Sequence, residues 1–245
     1  LTQSHLIYGR HPVLEALKAD GMFEKILLMP DAHSPEISAI RELARERKIP
    51  VQHVPVQKLN SITRKNHQGV VAFLSLIPYY SVEDVLMKAY DEGRVPFFLL
   101  LDNITDVRNF GAIARSAELC GVDAIIVPQR GGALISPDAM KASAGALNLI
   151  QVCKVRELTD AVSYLILNGI KIFSAEESRE KKLYDVDFTI PCAVILGAEG
   201  EGISEELLRK ADENFSIPMT GKIGSFNVSV AAGIVLYEMM RQRVV

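Results

Sequence analysis

The chain lacks any apolar run long enough to cross a membrane; Val70–Ile77 and Phe97–Leu101, its longest, fall far short of the roughly 18 residues required. It is poor in cysteine: Cys120, Cys153 and Cys192 are odd in number, well separated and set among apolar residues, which excludes a disulfide framework and suits reduced core thiols. No signal-like stretch stands at its start, so a cytoplasmic protein is expected. No His, Cys or carboxylate lies at ligand spacing from His67, and no metal is expected. Nor is positive charge in excess. The net charge of −3 excludes a chain coated in basic residues, although residues 1–78 carry ten Lys and Arg against seven acids and residues 79–245 carry 17 against 23. An anionic partner is therefore better met by the first part.

What is present is an ordinary globular composition, 49% hydrophobic and 23% charged. Helical and strand patterns alternate twice over. Residues 1–78 read as a small α/β unit: a helix over 8–19 with Pro12 in its first turn, strands at 25–29, 51–54 and 70–76, and helices at 35–47 and 56–62. Residues 79–96 read as a connection holding a helix that Ser81 can cap. From residue 97 to 245, continuous apolar strands at 97–101, 124–127, 149–155, 171–174 and 193–196 interleave with helices near 109–119, 138–144, 158–167 and 204–210. Such a pattern predicts a parallel sheet covered on both faces, with ligands beyond the carboxyl ends of its strands.

Four loops carry chemistry. In Thr63–Gly69 the donors Arg64, Lys65, His67 and Gln68 stand almost in succession and could grip phosphates or bases, or simply form a solvated turn. After the strand at 97–101, Asn109 opens a helix and Arg115, whose planar fork suits a phosphate, lies off its apolar face. ILGAEGEGIS follows the strand at 193–196; its glycines, Gly197 among them, permit close backbone approach beside the carboxylate of Glu199. In IPMTGKIGSFNVSVAAG, Ile217 ends a strand closed by Pro218, and Ser225, Phe226 and Asn227 precede a helix with a partly small-sided apolar face. Ser225 and Asn227 are either plain caps or site residues held by that helix. Neither the G-x-G-x-x-G dinucleotide fingerprint nor the P-loop order occurs.

Together and in this order, the segment Asn109–Arg115, ILGAEGEGIS and IPMTGKIGSFNVSVAAG resemble the SpoU (TrmH) family of RNA ribose 2′-O-methyltransferases. YGRHPVLEAL and NHQGVVA extend the likeness to the substrate-binding domain of its 23S rRNA guanosine branch. The resemblance implies a C-terminal α/β-knot domain of the SPOUT type, a deep trefoil knot made by threading the last segments through an earlier loop, behind a smaller N-terminal RNA-binding domain. It also implies S-adenosylmethionine as cofactor, 23S rRNA as partner and a homodimer. By position, Gly197, Ile217 and Phe226 are implied to contact the cofactor, and Asn109, Arg115, Glu199, Ser225 and Asn227 to surround the reaction, with Glu199 orienting Arg115 or Asn109. Phe226 replaces the leucine common in relatives. Arg115 is expected either as general base or, since a guanidinium is a fixed cation, as holder of a phosphate and of charge growing on the 2′-oxygen. A tRNA ribose methyltransferase, a non-catalytic RNA-binding assembly factor and a dinucleotide-dependent oxidoreductase are the competing readings, the last without its fingerprint.

Overall fold

Burial dictates the elements. In the computed structural model, which describes residues 6–19, 21–133, 135–177 and 179–244, the chain divides into two compact units, residues 1–78 and 79–245.

The first unit is built on a four-stranded mixed sheet. Its elements are β1 (Leu6–Tyr8), α1 (Arg10–Lys18), β2 (Phe23–Leu28), α2 (Pro35–Glu46), β3 (Val51–His53), α3 (Val56–Ile62) and β4 (Val70–Leu74). The strand order is β1-β4-β2-β3, with β4 antiparallel to both neighbours and β3 parallel to β2. Alternation along β2 and β4 decides what each helix covers. Ile26, Leu28, Val70 and Ala72 face Val13 and Leu17 of α1 and Ile37, Ile40 and Ala44 of α2. Leu27 and Val71 face the other way, onto Leu59 of α3. Ser34 starts α2 by accepting from the Ile37 N–H at 3.2 Å, with Pro35 at the first helical position, where its missing N–H costs nothing. One strand, β1, escapes the sequence reading. It is three residues long at a sheet edge, and its last residue, Tyr8, was expected to open the helix.

The second unit contains α4 (Val82–Asp91), β5 (Phe97–Asp102), α5 (Val107–Leu119), β6 (Ala124–Pro128), α6 (Pro137–Ala142), β7 (Gln151–Val155), α7 (Leu158–Leu167), β8 (Lys171–Glu176), β9 (Cys192–Gly197), α8 (Glu205–Lys210), β10 (Glu213–Ser216) and α9 (Val228–Arg243). Its sheet is parallel throughout, in the order β10-β8-β9-β5-β6-β7. Phe98, Leu100, Ile126, Ile172 and Ile195 are buried on one face with Val85 and Leu86 of α4, Val162 and Leu165 of α7 and Leu207 of α8. Residues 79–96, expected as a connection, thus carry a helix belonging to this core, capped by the Ser81 side chain. Phe97, Phe173 and Phe215 each meet Phe188 edge to face at 5.6–6.2 Å, which ties the connection from β8 to β9 against three strands.

That connection also clasps the last helix. Gln242 donates to the Val186 carbonyl and accepts from the Phe188 N–H, while Arg243 donates to the Phe188, Ile190 and Val95 carbonyls. Half-buried Arg243, whose pKa burial lowers, thereby finds acceptors for its donors. Helix α9 runs from beyond β10 back to pack on α5.

Candidate functional site

Neighbouring strands in a parallel sheet bring their following loops to one edge. Here β10, β8, β9 and β5 are consecutive, so the loops after Ser216, Glu176, Gly197 and Asp102 meet, although they are far apart in sequence.

The loop after β9 folds back on itself. A Cβ on Gly197 would lie 2.2 Å from the Gly202 carbonyl group, a distance that admits no side chain. The Gly202 N–H closes this turn on the Ala198 carbonyl at 2.9 Å, and Gly200 and Gly202 take the left-handed backbone it needs. Buried Asp102 then accepts from the Ser204 N–H at 2.8 Å, which fixes the far end of the turn to β5. On the same edge Asp106 caps α5, accepting from the N–H groups of Arg108 and Asn109 at 2.7 and 2.9 Å. Those bonds to the charged form hold its carboxyl below the usual carboxylate range.

Three loops converge on one amide. The Asn227 side-chain NH₂ donates to Glu199 at 2.5 Å and to the Asn109 side-chain oxygen at 3.2 Å, while its own oxygen accepts from the Ser229 N–H and hydroxyl. The assignment of its nitrogen and oxygen follows from these partners. Glu199 also accepts from the Val228 N–H at 3.1 Å, so its charge sits at the N-terminus of α9. Glu199 therefore holds Asn227 and the start of α9, and reaches Asn109 through that amide rather than directly. Arg115 stands apart: exposed on α5, it forms no hydrogen bond or ion pair among the described residues.

Two hollows flank this bridge and share Ala198, Glu199 and Val228 as a wall. The larger, about 400 Å³, is lined by Gly197, Ile217, Met219, Ser225 and Phe226, with Glu176 and Glu177 at its rim. The smaller, about 230 Å³, is lined by Asn103, Thr105, Asp106 and Asn109. Of the residues expected in the catalytic surround and cofactor site, all but Arg115 belong to these hollows or to the bridge between them. The sequence reading missed Glu176, Glu177 and Met219. The first two end and follow β8, a strand that passes close to the site only because it lies between β9 and β10, and that order leaves no sequence signal.

In the first unit, the loop Thr63–Gly69 turns two of its four expected donors to internal use. His67 is buried, accepting from the Gly69 N–H and bonding Asn60, and the side-chain oxygen of Gln68 accepts from the Arg10 N–H. These bonds close the loop on itself, on α3 and on α1. Arg64 and Lys65 remain exposed.

The model of RNA 2′-O ribose methyltransferase substrate-binding domains matches residues 6–80. YacO of Bacillus subtilis (strain 168), assigned to the TrmH family of tRNA/rRNA methyltransferases, is 32% identical over 244 residues, 99% of this chain and 98% of its own. The SpoU methyltransferase AviRb from Streptomyces viridochromogenes, solved in complex with AdoMet, overlays with a TM-score of 0.61 at 26% identity, covering 98% of this chain and 90% of that one. The A. aeolicus TrmH/SpoU tRNA modifying enzyme is 31% identical with a TM-score of 0.57, over 62% of this chain and 77% of its own. The model of the SpoU rRNA methylase family matches residues 96–237, the unit in which a glycine turn, a helix cap and a carboxylate converge on Asn227, and the chain belongs to that family.

Proposed function

We propose that the chain methylates a ribose 2′-hydroxyl in RNA with S-adenosylmethionine as donor, that its target is a guanosine of 23S rRNA, and that it works as a cytoplasmic homodimer. The observation that carries the reaction is the Asn109–Asn227–Glu199 bridge standing between two hollows in a chain of the SpoU family. A residue-level assignment follows from it.

The larger hollow suits the cofactor by its chemistry. Its volume falls in the range of small-molecule sites, and it joins apolar walls, Leu196, Ile217, Met219 and Phe226, to a rim of carboxylates. An adenosine ring favours such walls, and a sulfonium and an ammonium favour such a rim. Gly197, Ile217 and Phe226 would hold the adenosine part. When bound, the cofactor supplies a methyl group already activated by its positive sulfur.

The residues then position the acceptor and manage its proton. Asn109 and Asn227, fixed by Glu199, present amide groups between the two hollows, where the 2′-hydroxyl must be aligned. Ser225 adds a hydroxyl on the cofactor side. Exposed Arg115, a permanent cation with no hydrogen bond or ion pair among the described residues, is free to take an RNA phosphate and to stabilise charge on the 2′-oxygen as its proton leaves. Dimerisation is supported by Leu119 on α5 and Val230 and Tyr237 on α9, large apolar side chains left exposed on two packed helices.

The test is transfer of labelled methyl from S-adenosylmethionine to unmodified 23S rRNA and to bulk tRNA, by wild type and Arg115→Ala, followed by nucleoside analysis. Labelled 2′-O-methylguanosine in 23S rRNA, lost in the variant, is expected. Label confined to tRNA would move the substrate to the competing reading that the A. aeolicus relative favours. Absence of transfer despite cofactor and RNA binding would favour the non-catalytic one.

A further inference from the structure

We infer that Tyr8, Arg10, Arg64 and Lys65 form a platform for single-stranded RNA, with an unpaired base stacked on the Tyr8 ring and its flanking phosphates on the three cations. The inference rests on the reading that RNA is the substrate, and specifies which form of RNA the first unit takes and which side chains take it.

The platform begins with a buried imidazole. The Gly69 N–H can only donate, so at 3.0 Å it requires His67 Nδ1 to be unprotonated; Nε2 then carries the proton and donates to Asn60 Oδ1 at 3.0 Å. Both ring nitrogens are thus consumed in fixing the loop. The next residue adds a second constraint. Gln68 adopts the left-handed backbone (φ 51°), rare for a side chain of its size, and in that conformation its carbonyl accepts from Arg10 Nε at 3.1 Å while its amide oxygen accepts from the Arg10 N–H at 3.0 Å. One edge of the Arg10 guanidinium is therefore held, and its two terminal nitrogens have no partner among the described residues. A fork fixed on one side and open on the other is preorganised for a phosphate.

Tyr8 supplies the stacking surface. It lies on the edge strand β1, partly buried against the cluster of Leu27, Leu59 and Val71, which anchors it. The Lys65 ammonium sits 5.7 Å from its ring centroid. A base laid on that ring would displace Lys65 by a short swing toward a neighbouring phosphate. Exposed Arg64 precedes it. Charge points the same way: from Arg47 to Val82 the sequence holds five lysines and arginines and no acid. An aromatic face among cations, with Glu36 of α2 the carboxylate whose field reaches Arg10, is the chemistry of a single strand, because a base inside a duplex offers no free face to a tyrosine.

The test uses the whole chain and a short unstructured RNA, with a duplex of the same sequence as competitor, over a salt series. Arg64→Ala and Lys65→Ala, changes at exposed positions, are each expected to weaken binding several-fold and to lower the slope of log affinity against log salt by about 0.7. Tyr8→Leu is expected to weaken it roughly 5- to 150-fold with the slope unchanged, while Tyr8→Phe binds as wild type. Wild-type affinity in both cation variants, equal binding of the duplex, or no wild-type binding of the single strand would overturn the platform. Methyl transfer is read in parallel. Transfer by wild type with binding indifferent to these variants rejects the platform alone, and platform-dependent binding without transfer rejects the enzymatic reading alone.

Discussion

The loops 63–69 and 217–227 are both polar turns that follow or precede an apolar element, yet they are built in opposite ways. The first is closed from within. A buried histidine, a left-handed glutamine and bonds to Asn60 and Arg10 leave its backbone one course. The second makes no hydrogen bond between Ile217 and Phe226 among the described residues, and a Cβ added at Gly221 or Gly224 would meet nothing within 4 Å. Among the described residues it is anchored at its end, where Asn227 meets Glu199 and Asn109 and Val228 meets Glu199. The difference matches what each must do. A surface that reads a polymer from outside gains by being fixed in advance, whereas a wall of a ligand hollow must admit the ligand before touching it.

The comparison can be broken most severely at the turn against which the open loop is anchored. Gly197→Ala places a methyl group on the Gly202 carbonyl, and cofactor binding and methyl transfer are both expected to fall below detection, with a lowered melting temperature in a thermal scan. Glu199→Ala removes two of the bonds that anchor the open loop and leaves Asn227 its bond to Asn109, and a loss of kcat on the order of 100-fold is expected from misplacement of Asn227; an unchanged kcat would mean that the loop does not need the Glu199 anchor. His67→Ala strips the closed loop of its post and leaves the Gly69 N–H without an acceptor. A destabilisation of about 1–3 kcal/mol, measured by denaturant unfolding, is expected, together with weaker RNA binding and unaltered cofactor binding.

Smaller effects sharpen the contrast. The Asp106 cap has a carboxyl pKa lowered by the N–H groups of Asn109 and Arg108. Its contribution to stability is therefore complete above the unfolded value of about 3.9 and is lost as pH falls through the lower folded value. Acid unfolding of Asp106→Asn should show a correspondingly shallower pH dependence below about pH 4 than wild type. At the open loop Gly221→Ala should change stability by less than about 0.5 kcal/mol. A larger loss would show that the loop is as constrained as the first.

Much of this was legible in residue order because local chemistry had one answer. The central strands β5, β6 and β9 read as such because they are apolar on both faces, and α2, α4 and α9 begin at Ser34, Ser81 and Asn227 because those side chains accept from the first turn. Gly197, Glu199 and Asn227 stood out as a glycine turn with one carboxylate and a polar residue opening a small-sided helix. Other features had two local answers. A histidine and a glutamine beside Arg64 and Lys65 look the same in sequence whether they face RNA or one another; burial of His67 and the bond from Arg10, 58 positions away from Gln68, chose. Residues 79–96 have the turn signals of a connection, and only the packing of Val82, Val85, Leu86 and Ala89 places them in a core.

The sequence by itself determined most of the elements and several of their caps, because hydrophobic period, proline geometry and capping act over a few residues, whereas the exclusion of a side chain at Gly197 comes from the fold of its turn. The tertiary structure alone decided the strand order β10-β8-β9-β5 and with it the meeting of Asn109, Glu199 and Asn227. That order is settled by how buried faces cover one another across the whole sheet, a balance to which residues a hundred positions apart contribute equally.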